Sequence, residues 1–179
     1  PAAWYHQADI FERERRHIFG REWIWIGRLD QLADPGSYIA TDIAGWRIFA
    51  IRDRDGALRA FHNVCRHRAA VLVDDGAGRC DLLRCRYHGW VYDAAGRLRQ
   101  TPHFGDSPEF DKADFSLFPV RVDSWRGLVF VNLDPDSPPL TDGLGDLVKE
   151  AAPYPIEFYK FVREEVFDIN CNWKTYTDN

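Results

Sequence analysis

The stretch that decides the fold of this chain is Cys65-Arg66-His67, followed after residues 68–84 by Cys85-Arg86-Tyr87-His88. Written as a pattern, it is C-x-H and then C-x-x-H, so each half supplies one thiol and one imidazole. All four side chains can converge when two short loops are brought together at their tips. A glycine follows the second half, and a residue without a Cβ lets the backbone approach a bound group closely. The pattern therefore indicates two ligand loops that share one centre.

Three interpretations of this pattern are open. A single Cys or His is more often an inert buried residue than a ligand, but two Cys–His pairs at such short spacings are hard to explain in that way. A structural zinc site also uses two Cys and two His, although zinc modules usually pair Cys with Cys before His with His. A [2Fe–2S] cluster of the Rieske type has one iron on two Cys and the other on two His. The interleaved order favours this cluster, with Cys65, His67, Cys85 and His88 as its ligands.

The composition is that of a globular protein. Of the 179 residues, 45% are hydrophobic and 15% are aromatic, which is enough to build a packed core. The net charge of −5 argues against a nucleic-acid binder. The sequence has no apolar run of the roughly 18 residues that a membrane helix needs, and no signal-peptide pattern at its start. We therefore expect a cytoplasmic protein that contacts neither nucleic acid nor membrane, with Cys80 and Cys171 as free thiols.

The periodicity divides the chain into three parts. Residues 1–36 form an N-terminal helical segment, with a helix over 9–20 that starts at an Asp9/Glu12 capping pair and stops at Gly20. Residues 37–134 contain short alternating runs separated by turns, which predict a small antiparallel β domain. Residues 135–179 begin with a proline-rich linker, continue with a helix over 141–152 and a strand over 160–170, and end in a further helix. The predicted fold class is mainly β.

Three segments carry a resemblance to a known family. They are residues 60–68 (AFHNVCRHR), 84–90 (RCRYHGW) and 172–179 (NWKTYTDN). With these segments the chain resembles the α subunits of Rieske non-haem iron oxygenases, the ring-hydroxylating oxygenase family. Ala69 stands where most members have Gly. This form, together with the NWKTY tail, is most similar to the members that oxidise choline, carnitine or betaines.

The resemblance implies a Rieske [2Fe–2S] cluster on the four ligands and, in the full-length protein, a mononuclear non-haem Fe(II) that activates O₂. It also implies a ferredoxin or flavin reductase as electron donor, a small-molecule substrate that is hydroxylated, dihydroxylated or dealkylated, and a trimer-like homo-oligomer. Residues 135–179 would include the truncated start of an α+β catalytic domain. Asn179 matches a family Asn near the mononuclear iron, whose ligands follow later in family sequences. We therefore expect this chain alone to carry electrons without oxygenase activity.

Two other functions stay open at this point. A stand-alone Rieske ferredoxin would be a pure electron carrier, although it would need neither the helix before Asp34 nor the segment after the linker. A structural zinc-binding module is the other class, and it would be colourless because zinc has no redox or d-electron chemistry. Visible absorption of the purified chain separates the zinc module from both Rieske proteins.

The ligand loops also bear on the reduction potential of such a cluster. Hydrogen bonds aimed at the sulfurs stabilise the reduced, more negative cluster and raise its potential. Neither residues 65–70 nor residues 85–90 contain a Ser or Thr hydroxyl. We therefore expect a potential in the lower half of the Rieske range.

Overall fold

The computed structural model describes residues 1–105 and 107–178 and has the mainly antiparallel β architecture that the sequence predicted. The strands are β1 (Ile24–Arg28), β2 (Ser37–Ile43), β3 (Trp46–Arg52), β4 (Leu58–His62), β5 (Gly76–Arg79), β6 (Leu83–Arg84), β7 (Val91–Tyr92), β8 (Leu98–Gln100), β9 (Pro119–Trp125) and β10 (Leu128–Asn132). The α-helices are α1 (Ala8–Glu14), α2 (Leu140–Leu144), α3 (Leu147–Glu150) and α4 (Trp173–Thr177). A π-helical turn continues α1 (Arg15–Phe19), and 3₁₀ turns lie at Ala2–Tyr5, Leu29–Leu32, Lys112–Phe115 and Ile156–Phe158.

The strands form a large and a small antiparallel sheet. The order of the large sheet is β1-β10-β9-β4-β3-β2-β5, and that of the small sheet is β6-β7-β8. Strand β1 comes from the predicted N-terminal segment, yet it pairs with β10 inside the large sheet. The segment boundaries 1–36, 37–134 and 135–179 remain predictions.

Strand β3 is buried on both faces and separates two hydrophobic cores. Ile48 and Ala50 face one core, whereas Phe49 and Ile51 face the other, as the alternation of a strand requires. The core that contains Phe49 and Ile51 also contains Cys65 and side chains of the small sheet, and we name it the ligand-side core. One face of the large sheet therefore packs against the predicted cysteine ligands.

The small sheet is fixed by a tight contact between its hairpin tip and the large sheet. Gly96, at the tip of the β7–β8 hairpin, lies directly against the ring of Phe61 on β4. A Cβ added at Gly96 would be 2.4 Å from that ring, and its φ of +78° already favours glycine. The carbonyl oxygen of Gly96 also accepts a hydrogen bond from the N–H of Leu117, at 2.8 Å. These contacts hold the small sheet at one place on the large one.

Two local predictions from the sequence were wrong, and one strand was missed. Residues 76–79, to which the sequence analysis assigned no strand, form β5, an edge strand in which Gly78 leaves room for the ring of Tyr38. The strand predicted over 160–170 is absent. These residues are exposed and have no regular structure. The cap of α1 is Gln7, whose side chain forms no capping hydrogen bond, so the predicted Asp9/Glu12 pair does not start the helix.

Two helical predictions hold in modified form. The helix over 9–20 is observed as α1 and its π-helical continuation, ending at Gly20. The helix predicted over 141–152 is split into α2 and α3 at Gly145, whose φ of +51° is incompatible with a continuous right-handed helix. None of the helices in the described part of the chain combines the length and the hydrophobicity that a membrane span requires.

Candidate metal centre

The two ligand loops have the same backbone fold. Loop 1 follows β4, and loop 2 joins β6 to β7. In each loop the N–H of the Cys donates a hydrogen bond to the carbonyl of the residue five positions later. The carbonyl of the same Cys accepts a hydrogen bond from the N–H of the residue four positions later. These bonds are Cys65 N to Ala70 O (2.8 Å), Ala69 N to Cys65 O (2.9 Å), Cys85 N to Trp90 O (2.8 Å) and Gly89 N to Cys85 O (3.0 Å). Each Cys is therefore held at the start of a closed turn, within the two loops that the sequence predicted.

The fourth residue after each cysteine adopts a left-handed backbone. Gly89 has a φ of +72°, which glycine tolerates without strain. Ala69 has a φ of +55° at the equivalent place in loop 1. A residue with a Cβ is strained there by about 1–2 kcal/mol. Loop 1 thus keeps the shape of loop 2 at a cost in stability.

The two candidate cysteine ligands lie side by side in the ligand-side core. Cys65 and Cys85 are each 2% exposed. Burial raises the pKa of the Cys65 thiol, and the neighbouring Cys85 acts in the same direction. The Tyr92 hydroxyl and the N–H of His67 bond to the Cys65 sulfur and lower this pKa in part. The thiols therefore form one close pair, away from water.

The two candidate histidine ligands form a second pair. The ring centroids of His67 and His88 are 4.6 Å apart, with the planes at 65°. The Nδ1 atoms of both rings are buried and have no hydrogen-bond partner. A buried polar atom without a partner costs about 1–3 kcal/mol, so such atoms are rare in native proteins. Two such atoms side by side are therefore candidate metal-coordinating atoms.

The donors thus fall into a thiol pair and an imidazole pair. In the part of the chain that the structure describes, no three His, Cys, Asp or Glu side chains surround a single point as ligands of one metal ion. A zinc site would bring all four donors around one ion. A Rieske cluster needs only two protein ligands for each iron, two thiolates for one and two imidazoles for the other. The residues present fit this cluster.

Aromatic rings fix the histidines and shield them. The ring of His67 stacks on Trp90, with centroids 4.8 Å apart and planes at 9°. Burial lowers the pKa of His67, and the charges of His88 and Arg68 act in the same direction, which favours the neutral imidazole that binds metals. A cleft of about 560 Å³ opens beside both histidines, with Trp90 and Phe104 among its walls. The imidazole pair therefore lies nearer to solvent than the thiol pair.

Tyr92 is a functional candidate that the sequence analysis missed. Its side chain is fully buried, and its hydroxyl oxygen lies 3.4 Å from the Cys65 sulfur and accepts from the N–H of Arg66 at 3.1 Å. Burial, followed by the bond to Cys65, raises the pKa of Tyr92 far above its usual value, so the hydroxyl keeps its proton. If Cys65 binds a metal as a thiolate, it has no proton to give, and this hydroxyl would be the donor. The available signal was a tyrosine two positions after Trp90, since alternate residues of an extended chain lie on the same face.

Asn63 is a second residue that was missed, and it closes loop 1. Its buried amide donates to the carbonyl of Val73 at 2.8 Å and accepts from the N–H groups of Leu72 (3.0 Å) and Val73 (3.1 Å). These bonds tie the two ends of the loop together across Cys65 and His67. The available signal was an amide side chain two residues before Cys65, directly after the end of β4. Asn179, the remaining predicted site residue, lies outside the described residues.

The fold and the site together define the class of this protein. The family profile described as "Rieske [2Fe-2S] domain" matches residues 22–112. The chain belongs to this family.

Particular relatives refine the class. The chain is 33% identical to the carnitine monooxygenase oxygenase subunit of Escherichia coli K12, over 100% of its own length and 48% of the relative. It is also 33% identical to the glycine betaine monooxygenase oxygenase subunit of Chromohalobacter salexigens, over 100% of the chain and 40% of the relative. The predicted resemblance to Rieske oxygenase subunits is confirmed. The chain spans about half the length of the first of these curated relatives and less of the second.

Solved structures agree with this assignment. The crystal structure of the apo form of the quaternary ammonium Rieske monooxygenase CntA superimposes with a TM-score of 0.93 at 31% identity, over 99% of this chain and 52% of that one. Naphthalene 1,2-dioxygenase from Rhodococcus superimposes with a TM-score of 0.76 at 33% identity, over 82% of this chain and 34% of that one. The fold is thus the Rieske-type fold of oxygenase α subunits.

Proposed function

We propose that this chain is the electron-transfer part of a Rieske-type oxygenase. Cys65, His67, Cys85 and His88 would hold a [2Fe–2S] cluster, which a ferredoxin or flavin reductase reduces. In the longer protein, the electrons would serve O₂ activation at a mononuclear non-haem Fe(II). The observation that carries this proposal is the adjacent rings of His67 and His88, whose buried Nδ1 atoms have no hydrogen-bond partners.

The residues around the site suit a one-electron centre. A Rieske cluster supplies one-electron transfer when it is bound. The core excludes water from the thiol pair, which protects the ligands from exchange and oxidation. The stacked ring of Trp90 orients His67 and keeps its Nδ1 away from water. The imidazoles lie beside the cleft, so a partner that approaches there comes closest to the histidine side of the site.

For the whole protein we propose a quaternary ammonium compound as the substrate class. The amino-acid identities do not discriminate between quaternary ammonium and aromatic substrates, since chlorobenzene dioxygenase subunit alpha of Cupriavidus is 34% identical to this chain. The structural agreement favours the quaternary ammonium enzymes, with a TM-score of 0.93 against 0.76 for the naphthalene dioxygenase. Turnover of carnitine or betaines by the full-length protein supports this, whereas turnover of aromatic hydrocarbons alone would contradict it.

We further propose a cytoplasmic homo-oligomer. All four cysteines lie in the described residues and are free thiols in the structure, which suits a reducing compartment. The structure of one quaternary ammonium Rieske monooxygenase gave insights into inter-subunit electron transfer. Sedimentation of the full-length protein tests the oligomer, and a monomer that retains activity would argue against it.

The cluster itself is tested on the purified chain. Anaerobic reconstitution should give two irons and two sulfides per chain, visible absorption, and the EPR signal of a reduced Rieske centre. Cys65→Ser and Cys85→Ser should each abolish the cluster because each removes one of only two thiolates. The matched controls are Cys80→Ser and Cys171→Ser, which should retain it. Stoichiometric zinc without iron, or loss of the cluster in the controls, would contradict the assignment.

A further inference from the structure

The last helix of the described chain is anchored on the first one by a single carboxylate. Glu14, at the end of α1, accepts a hydrogen bond from the Lys174 ammonium at 2.6 Å and from the Trp173 indole N–H at 3.0 Å. Each of its two oxygens receives one donor. The side chains of Glu14 and Lys174 are only 12% and 14% exposed. Removing one partner from a pair of charges this well shielded leaves the other charge uncompensated.

Aromatic contacts from the same N-terminal segment surround this ion pair. The ring of Trp173 meets Phe19 edge-on, with centroids 5.2 Å apart and planes at 76°. The Lys174 ammonium lies 5.5 Å from the centre of the Tyr5 ring, within the range of a cation–π contact. The Tyr5 hydroxyl also hydrogen-bonds to the carboxylate of Asp178. Residues 5–19 therefore hold α4 at its start and just beyond its end.

The chain that leads into α4 cannot position it. Residues 161–171 are exposed and have no regular structure. Helix α4 has five residues, and a helix of that length is unstable in water without tertiary contacts. Its N-cap, Asn172, accepts from the N–H of Lys174, which is a contact within the segment itself. The contacts with the N-terminal segment are what fix its position.

The N-terminal segment is in turn tied to the large sheet. The Arg15 guanidinium donates to the carbonyl of Ala44, at 2.7 Å, and lies 4.1 Å above the centre of the Trp46 ring. The Asn132 side chain at the end of β10 donates to the carbonyl of Arg21, at 2.8 Å. A continuous set of contacts therefore runs from the sheet that supports the ligand loops, through α1, to α4.

We propose that α1 and its π-helical continuation are an internal docking surface for residues 172–178, with Glu14 as the anchor. This surface, and not the exposed chain before α4, sets the position of the segment that resembles the start of the catalytic domain. The functional meaning rests on the proposed function, since it relates the ligand loops to a catalytic part of the longer protein. Hydrogen bonds from Lys174 and Trp173 outweigh the effect of burial and lower the pKa of Glu14, which agrees with a carboxylate that stays charged in this contact.

Hydrogen–deuterium exchange on the 179-residue chain tests the docking. Glu14→Gln keeps the shape and removes the charge, so exchange in peptides covering 172–178 should become at least about tenfold faster. The matched control is Glu12→Gln on the same helix, whose ion pairs with Arg15 and Arg16 are more exposed, and exchange should change less than about twofold. Trp173→Phe removes only one donor, so it should give a smaller increase than Glu14→Gln.

A charge swap separates the anchor from a general loss of structure. Glu14→Lys combined with Lys174→Glu restores the ion pair but removes the acceptor for Trp173, so protection should return in part. Unchanged visible absorption of the cluster would show that each variant is folded. Exchange that is equally fast in the wild type and in Glu14→Gln, or equal in the two glutamine variants, overturns the docking. If the chain binds no iron and Glu14→Gln still loses protection, the docking stands and the proposed function fails.

Discussion

At the residue scale, Tyr92 brings a side-chain hydroxyl to the Cys65 sulfur from outside the two ligand loops. Tyr92→Phe removes one hydrogen bond to the Cys65 sulfur and keeps the ring that fills the core. The hydrogen bond stabilises the more negative reduced cluster, so its loss should lower the reduction potential. A net contribution of about 1 kcal/mol corresponds to about 40 mV for one electron.

Protein-film voltammetry of the reconstituted chain measures this shift. The control is Tyr38→Phe, since Tyr38 packs against the same core and its ring lies over Gly78 on β5. Equal potentials in Tyr92→Phe and the wild type would show that the hydroxyl does not act on the cluster.

Ala69 and Gly89 give a pair of opposite substitutions at equivalent loop positions. Ala69→Gly should stabilise the chain by up to about 1 kcal/mol, because glycine relieves the left-handed strain but loses more backbone entropy on folding. Gly89→Ala should destabilise it, because the φ is +72° and the new Cβ would lie 3.3 Å from Pro102. Urea unfolding measures both. A shift of the same sign in the two variants would contradict the shared geometry of the loops.

At the element scale, two hairpins are built on the same turn. In the β3–β4 turn, Asp53 accepts from the N–H groups of Asp55 (3.0 Å) and Ala57 (2.8 Å) and from the Arg59 guanidinium (2.6 Å). In the β7–β8 turn, Asp93 accepts from the equivalent N–H groups and from Arg97 and Arg99. Each turn has a glycine with positive φ three residues after its aspartate. The repeated D-x-x-G sequence therefore encodes one hairpin geometry twice.

This turn makes stability depend on pH in the acid range. Burial alone would raise the pKa of Asp53, but the hydrogen bonds from Arg59 and Ala57 outweigh it, so the pKa lies below its usual value. A lowered pKa in the folded state adds stability above the unfolded value of about 3.9, and this stability is lost as the pH falls through the folded value. Asp53→Asn should cost about 1–3 kcal/mol at pH 7. The difference from the wild type should shrink toward pH 3.

Urea unfolding at several pH values measures this difference. Asp55→Asn is the matched control in the same turn, since the Asp55 side chain is exposed, and it should have a small effect at every pH. A constant difference between Asp53→Asn and the wild type from pH 7 to pH 3 would rule out the carboxylate as its cause.

At the scale of the whole molecule, short-range patterns were predictable and long-range contacts were not. Strand β3 follows from its short apolar run between two arginines, and the two ligand loops follow from the spacing of Cys and His along the chain. Strand β5 was missed because glycines have no strand preference, and its pairing with β2 is decided by the room they leave for a ring. The contact of Glu14 with Lys174 joins residues 160 positions apart, which no local pattern encodes.

The candidate site also combines features that were predictable from local sequence with contacts that were not. The ligand types and their spacing identify the centre, because the chemistry of a Rieske cluster demands that set. Tyr92 and Asn63 act on it from neighbouring elements, through distances that depend on how the strands pack. Their roles could not be read from the loops alone.

The two ligand loops are attached to different sheets, so the bound and unbound forms of the protein should differ in their resistance to proteolysis. Loop 1 follows a strand of the large sheet, whereas loop 2 lies within a small sheet in which β6 and β7 have two residues each. A group bound by both loops is thus a cross-link between them, and binding adds to the stability of the bound form. Newly made chains that lack iron should expose residues 80–105 to proteases first, and limited proteolysis with and without the cluster would reveal this. Iron supply would then act as quality control, since degradation would remove the chains that were never loaded; equal cleavage of both forms would exclude such a role.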